Sequence, residues 1–224
     1  MTVAHPCRFT PAVLDALAPV IEGFGLPVHD PFAGTGERLG ALCDRLGVGF
    51  SGTEIEPEFI VDPRVQPGDS TRAGTYPAVP HILITSPVYP NGMTDHFEAR
   101  DGSRRHTYRQ ALATNLGRDR PLHINNMGAY GNKIRRSHRS EQQHWGLATA
   151  CLAHWPDTVI VNVKDTIARG ERVPVVATWA GLLTDAGWGV TDWIVVDVHG
   201  QRHGANGHAR VDHEVILVAQ KAPA

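Results

Sequence analysis

Ser86-Pro87-Val88-Tyr89 follows directly on the run Ile82-Leu83-Ile84-Thr85 and precedes Pro90-Asn91-Gly92. A buried strand that exits into a hydroxyl, a proline and an aromatic ring sets polar and aromatic groups at the rim of a sheet, although a plain Pro/Gly turn would read the same way. Upstream, Asp30-Pro31-Phe32-Ala33-Gly34-Thr35-Gly36 stands between a strand pattern and a helix pattern. Two glycines there let the backbone turn sharply and approach a ligand, and the helix that follows offers unpaired N–H groups. A plain tight turn would use the same glycines. The next strand pattern ends in Glu54, about 20 residues past the glycines, where a carboxylate can grip a ribose diol. The glycine loop and the carboxylate at that spacing together suit a ligand that carries a ribose.

Charge adds a second theme. Residues 100–139 hold ten Lys/Arg against Asp101 and Asp119, a local balance of +8 in a chain of formal net charge −2. A solvated surface would account for the charge alone. Tyr108, His123, Asn125, Asn126 and Tyr130 are interleaved with it, and guanidinium forks mixed with rings and amides suit phosphates and bases. Arg104, Arg105, Arg109, Lys133, Arg135 and Arg136 are the candidate nucleic-acid contacts, with Lys164 at the exit of a later strand. His199, His203, His208 and His213 fit no zinc spacing, and Cys7, Cys43 and Cys151 form no C-x-x-C pair, so no metal is expected.

The elements that must position these residues alternate. The stretch 10–24 opens on Thr10 as N-cap and Pro11 at the first helical position, with apolar residues at Val13, Leu14, Leu17, Val20 and Ile21. Strand patterns at 26–32, 48–55, 82–86 and 157–165 alternate with helix patterns at 36–47, 141–155 and 173–187. Two further strands, 193–199 and 213–220, have no helix between them. Alternation predicts a mostly parallel, Rossmann-like α/β sheet, and the last two strands an antiparallel edge pair. Ligands of such sheets sit outside the carboxyl ends of the strands. With 224 residues, one domain over 1–224 is expected. No apolar run is long enough to span a bilayer and the first residues carry no signal-peptide pattern, so a cytoplasmic protein, monomer or homodimer, without a membrane partner is expected.

The quoted motifs resemble one family. "DPFAGTG", the acidic "GTEIEPE", "PGDS" and "TSPVY" together are similar to the S-adenosylmethionine (SAM)-dependent DNA amino-methyltransferases, over nearly the whole chain. The resemblance implies a class I methyltransferase domain with a seven-stranded sheet and SAM as cofactor. It assigns the methionine end of SAM to Asp30, Phe32, Gly34 and Gly36, the ribose to Glu54 and the adenine to Asp69. "HPCRFTPAVL" resembles the segment ahead of the first strand, which places Phe9 and Thr10 at the methionine end, and "RVDHEVILVAQK" is similar to the family's closing strand. Ser86 then borders both cofactor and substrate, with Pro87 and Tyr89 completing the catalytic motif. Ser86 and the Pro87 carbonyl would hold the exocyclic amino group of adenine or cytosine, and Tyr89 would stack on the base, swung out of its helix.

One position departs from the pattern: Val88 stands where the family has a second proline, so φ is no longer locked there. No domain-sized segment follows the catalytic motif, which leaves the basic insertion at about 97–140 as the expected substrate reader. DNA is the expected polymer. Enzymes acting on RNA share such motifs, and a cofactor-binding protein without catalysis would keep the loop while losing the reaction through Val88.

Overall fold

The computed structural model describes residues 9–87, 140–168, 171–198 and 211–222. Thr10 has extended backbone and its Oγ1 accepts the Val13 N–H at 3.3 Å, opening helix α1 (Pro11–Phe24). Gly25, at φ 62°, closes the helix, returning its N–H to the Ile21 carbonyl. Strand β1 (Val28–Asp30), helix α2 (Glu37–Leu46), strand β2 (Phe50–Glu54), the short strand β3 (Val65–Pro67) and strand β4 (Ile82–Thr85) follow. The remaining elements are helix α3 (Ser140–Leu152), strand β5 (Thr158–Val163), a small hairpin of β6 (Thr166–Ala168) and β7 (Glu171–Val173), helix α4 (Val175–Asp185) and the long strands β8 (Trp188–Asp197) and β9 (His213–Lys221).

Seven strands form one sheet in the order β3-β2-β1-β4-β5-β9-β8. β1 pairs in parallel with β2 (Val28 opposite Phe50) and with β4 (Val28 opposite Ile82), and β4 with β5 (Leu83 opposite Val159). β9 is antiparallel to both β5 and β8, so the final strand inserts between them. The parallel α/β sheet with an antiparallel C-terminal edge pair expected from the alternation is the observed architecture.

Alternate residues of the central strands feed two cores. Val28, Ile82, Ile84, Ile160 and Ile216 pack with Val13, Leu17 and Ile21 of α1 and Leu39, Leu42 and Cys43 of α2. Leu83, Val159, Val161, Val163 and Leu217 pack with Ala148, Cys151 and Leu152 of α3 and Val175, Trp179 and Leu183 of α4. Trp155 and Trp179 stack within the second core with ring centroids 5.8 Å apart. β4 is buried on both faces, which explains its unbroken apolar run. The strand order reverses between β1 and β4, since the chain goes from β1 out to β2 and β3 and then returns to the other side of β1. That reversal opens a crevice at their carboxyl ends, a general ligand position in open α/β sheets.

Candidate active site

Asp30, the last residue of β1, is 3% exposed. Its Oδ1 accepts the Phe32 N–H at 3.0 Å and the Thr85 hydroxyl, from the end of β4, at 2.7 Å. Burial pushes its carboxyl up to about 7, against the downward pull of those two donors. Thr85 therefore ties together the two strands that flank the switch point. A cleft at that point is lined by Asp30, Phe32, Ala33, Thr35 and Gly36 of the loop, Arg38 and Leu39 of α2, Phe9 ahead of α1, and Ser86 past β4. Arg38 donates from Nη1 to the Phe9 carbonyl at 2.7 Å, joining the start of α2 to the segment ahead of α1.

Gly36 caps α2 at φ 72°, in the left-handed region. A Cβ there would lie 2.4 Å from Val65 Cγ2 and 3.0 Å from Asp62 Cβ, so the glycine also lets the loop settle onto β3. Gly34, at φ 57°, has the same handedness. Its N–H donates to Glu54 Oε2 at 2.9 Å, while the Glu56 N–H donates to Glu54 Oε1 at 2.8 Å. Glu54 is 4% exposed, and burial raises its carboxyl to about 7. In this arrangement Glu54 is the anchor of the glycine loop, holding it to the end of β2.

Asp69 follows β3. Its Oδ1 accepts both the Thr71 N–H at 3.0 Å and the Thr71 hydroxyl at 2.8 Å, which closes a turn, and Oδ2 lies 3.7 Å from Arg72 Nε. Ser70 donates its hydroxyl to the Pro31 carbonyl, so this turn is pinned to the Asp30 loop. Tyr76 donates to the Ser70 carbonyl at 2.7 Å and accepts the Trp155 indole N–H at 3.2 Å. This brace of Ser70, Tyr76 and Trp155 is not apparent from the motifs; the signal that points to it is the Ser of "PGDS".

Of the residues singled out from the sequence, Phe9, Asp30, Phe32, Gly36 and Ser86 line one cleft. Thr10 serves as the cap of α1, and Gly34, Glu54 and Asp69 shape the loops around the cleft. Pro87 is buried next to the half-buried Ser86. Tyr89 and Val88, and the basic residues Arg104, Arg105, Arg109, Lys133, Arg135 and Arg136, lie outside the described residues. Lys164 follows β5, next to Asp165, whose Oδ1 accepts the Val176 N–H at 3.1 Å at the start of α4. Thr35, Arg38 and Leu39 are cleft residues that the motif reading passed over. No group of His, Cys, Asp and Glu able to hold a metal occurs among the described residues, and no described helix is long and apolar enough to cross a membrane.

No family model matches the chain, and no curated protein matches it. Solved structures do. A Pyrococcus horikoshii protein described as a candidate RNA methyltransferase aligns over 100% of this chain and 94% of its own at 14% identity, with a TM-score of 0.54. A Thermoplasma acidophilum protein aligns over 94% and 89% at 11% identity, with a TM-score of 0.52. The magnesium protoporphyrin IX methyltransferase of Synechocystis PCC 6803, solved with bound SAM, aligns over 98% and 88% at 10% identity, with a TM-score of 0.50. At these identities the likeness is one of architecture, and the architecture of this chain is the class I methyltransferase fold.

Proposed function

We propose that this protein is a SAM-dependent methyltransferase that methylates the exocyclic amino group of adenine or cytosine in DNA. The observation that carries the reading is the convergence of Phe9, Asp30, Phe32, Gly36 and Ser86, spread from residue 9 to residue 86, on one cleft at the switch point of the sheet. The cleft fits the amino-acid end of the cofactor. Asp30 Oδ1 is engaged by Phe32 and Thr85, while Oδ2 accepts no hydrogen bond among the described residues, and an ammonium group in the cleft would pair with it. The amino end of α2 supplies N–H groups to a carboxylate. When bound, SAM supplies a methyl group made electrophilic by its sulfonium.

The chain's own residues then orient the acceptor. An exocyclic amino group is a weak nucleophile because its lone pair is delocalised into the ring. Ser86 Oγ and the Pro87 carbonyl accept its hydrogens, and that favours a tetrahedral nitrogen with the lone pair aimed at the methyl group. Tyr89 stacks on the base, and the basic segment 100–139 neutralises the phosphates that flank it. The mechanism calls for no covalent enzyme intermediate.

A second reading, with RNA as the polymer, is favoured by the Pyrococcus horikoshii structure, whose description names RNA. The two separate when the protein is incubated with tritiated SAM and duplex DNA, tRNA, rRNA or no polymer, and incorporation is counted. Label in DNA supports the main reading and label in RNA alone supports the second. Binding of SAM with no transfer to any polymer would make the protein a silent binder and end both.

A further inference from the structure

Two buried polar side chains on the strands beyond Ser86 have no part in the mechanism above. Asn162, 2% exposed, lies near the end of β5, and Glu214, 8% exposed, near the start of β9. Asn162 Nδ2 donates to Glu214 Oε2 at 2.6 Å. The other amide atom, Oδ1, is buried and has no hydrogen-bond partner among the described residues, a destabilising state unless something occupies it. The register shows what lies beside it. Thr85 of β4 pairs with Val161 of β5, so continuing that register by one residue past β4 sets Ser86 beside Asn162, and the alternation of Ile82, Ile84 and Ile160 towards α1 and α2 carries both positions to that face. Asn162 in turn pairs with Ile216 of β9, and Glu214 is two residues towards the same rim. Ser86, Asn162 and Glu214 thus form a row over three adjacent strands, starting at the cleft.

Serine at position 86 poses a problem that this row solves. A hydroxyl both donates and accepts, and its hydrogen rotates freely; if that hydrogen points at the substrate, it repels the amino hydrogens that Ser86 is to accept. We propose that Asn162 is a positioning residue for Ser86: its Oδ1 accepts the Ser86 hydroxyl hydrogen, while Glu214 fixes the amide by accepting from Nδ2. Ser86 then presents only lone pairs to the amino group. The chain of bonds runs from substrate N–H to Ser86 Oγ, from Ser86 O–H to Asn162 Oδ1, and from Asn162 Nδ2–H to Glu214. A rotation of the Ser86 side chain closes it. The inference rests on the proposed amino-methylation and deepens it.

The test is a double-mutant cycle in single-turnover methyl transfer, with SAM saturating and with the polymer that wild type methylates. Asn162→Leu, which cannot accept the hydroxyl hydrogen, is expected to slow transfer about tenfold, the factor carried by one lost hydrogen bond of ordinary strength. Calorimetric SAM affinity stays at the wild-type value. With Ser86→Ala already in place, the double variant is expected to equal Ser86→Ala alone, because no hydroxyl remains to be oriented. Asn162→Asp gives an independent readout: one proton shared with Glu214 rebuilds the row, so its activity relative to wild type rises as pH falls. Losses that multiply in the double variant, or an Asn162→Asp to wild-type ratio that is flat with pH, overturn the proposal. A wild-type protein that transfers no methyl group to DNA or RNA overturns the proposed function itself, and the inference with it.

Discussion

Replacing Gly36 by alanine tests whether the glycine loop is built as the structure describes. Two costs add. A residue with a Cβ at φ 72° sits in the left-handed region, at about 1–2 kcal/mol. The new methyl lies 2.4 Å from Cγ2 of Val65, which is 2% exposed and has little room to move, and overpacking of this kind costs about 1–3 kcal/mol. Together they remove about 2–5 kcal/mol, a large share of the roughly 5–15 kcal/mol by which domains are stable. In urea unfolding the midpoint should fall with the slope unchanged. Val65→Ala on its own should cost about 1–3 kcal/mol through lost burial. In the double variant the clash is gone, so the combined loss should be smaller than the sum of the two single losses. If Gly36→Ala loses less than about 1 kcal/mol, or if the two losses simply add, the glycine is not there to let the loop close on β3.

The buried carboxyls make stability depend on pH. Asp30 and Glu54 are both raised to about 7 by burial, so between about 4 and 7 the folded state binds more protons than the unfolded one, and their contribution falls as pH rises through that window. Asp30→Asn keeps an acceptor for Phe32 and Thr85 without the charge. Relative to wild type, it should gain about 2–3 kcal/mol between pH 5 and pH 8 in urea unfolding, and a difference that does not change with pH would refute the argument. Tyr76→Phe leaves the Trp155 indole N–H, in a side chain 3% exposed, without its acceptor; a loss of about 1–3 kcal/mol is expected in thermal or urea unfolding, and no loss would mean that the brace is dispensable. For the basic segment, polymer affinity should fall by about 0.7–0.9 in log K per phosphate contact for each tenfold rise in salt. Arg135→Glu with Arg136→Glu should flatten that slope and leave SAM affinity alone, whereas an affinity independent of salt would leave the segment no phosphate contacts.

Local physics was enough for the elements with caps and long apolar runs. Thr10 and Gly25 bound α1, Gly47 ends α2, and β4, β5 and β9 are buried nearly throughout. β3 gave no such signal. It is three residues long with only Val65 buried, and it sits among prolines and aspartates, so its place in the sheet comes from pairing with β2. The sequence pattern expects β8 only from Trp193, because the exposed residues from Thr191 to Trp193 hide the start of the strand at Trp188. The cleft residues that belong to recognisable loops, Asp30, Phe32, Gly36 and Ser86, were legible as types at a spacing. Contacts across the fold were not. Thr85 reaches Asp30 over 55 residues, Trp155 reaches Tyr76 over 79, and Asn162 reaches Glu214 over 52. Such pairs depend on strand order and register, which no single segment encodes.

The most direct test of the account is the position of the transferred methyl group. The protein is incubated with SAM carrying a heavy-isotope methyl and with DNA; the DNA is digested to nucleosides, and the labelled nucleoside is identified by mass spectrometry against standards. Label is expected on the exocyclic nitrogen of adenine or cytosine, and it should form measurably more slowly when Ser86 is replaced by alanine. A methyl group on a ring carbon, on a ring nitrogen or on the sugar, or transfer that survives in Ser86→Ala at the wild-type rate, would contradict it.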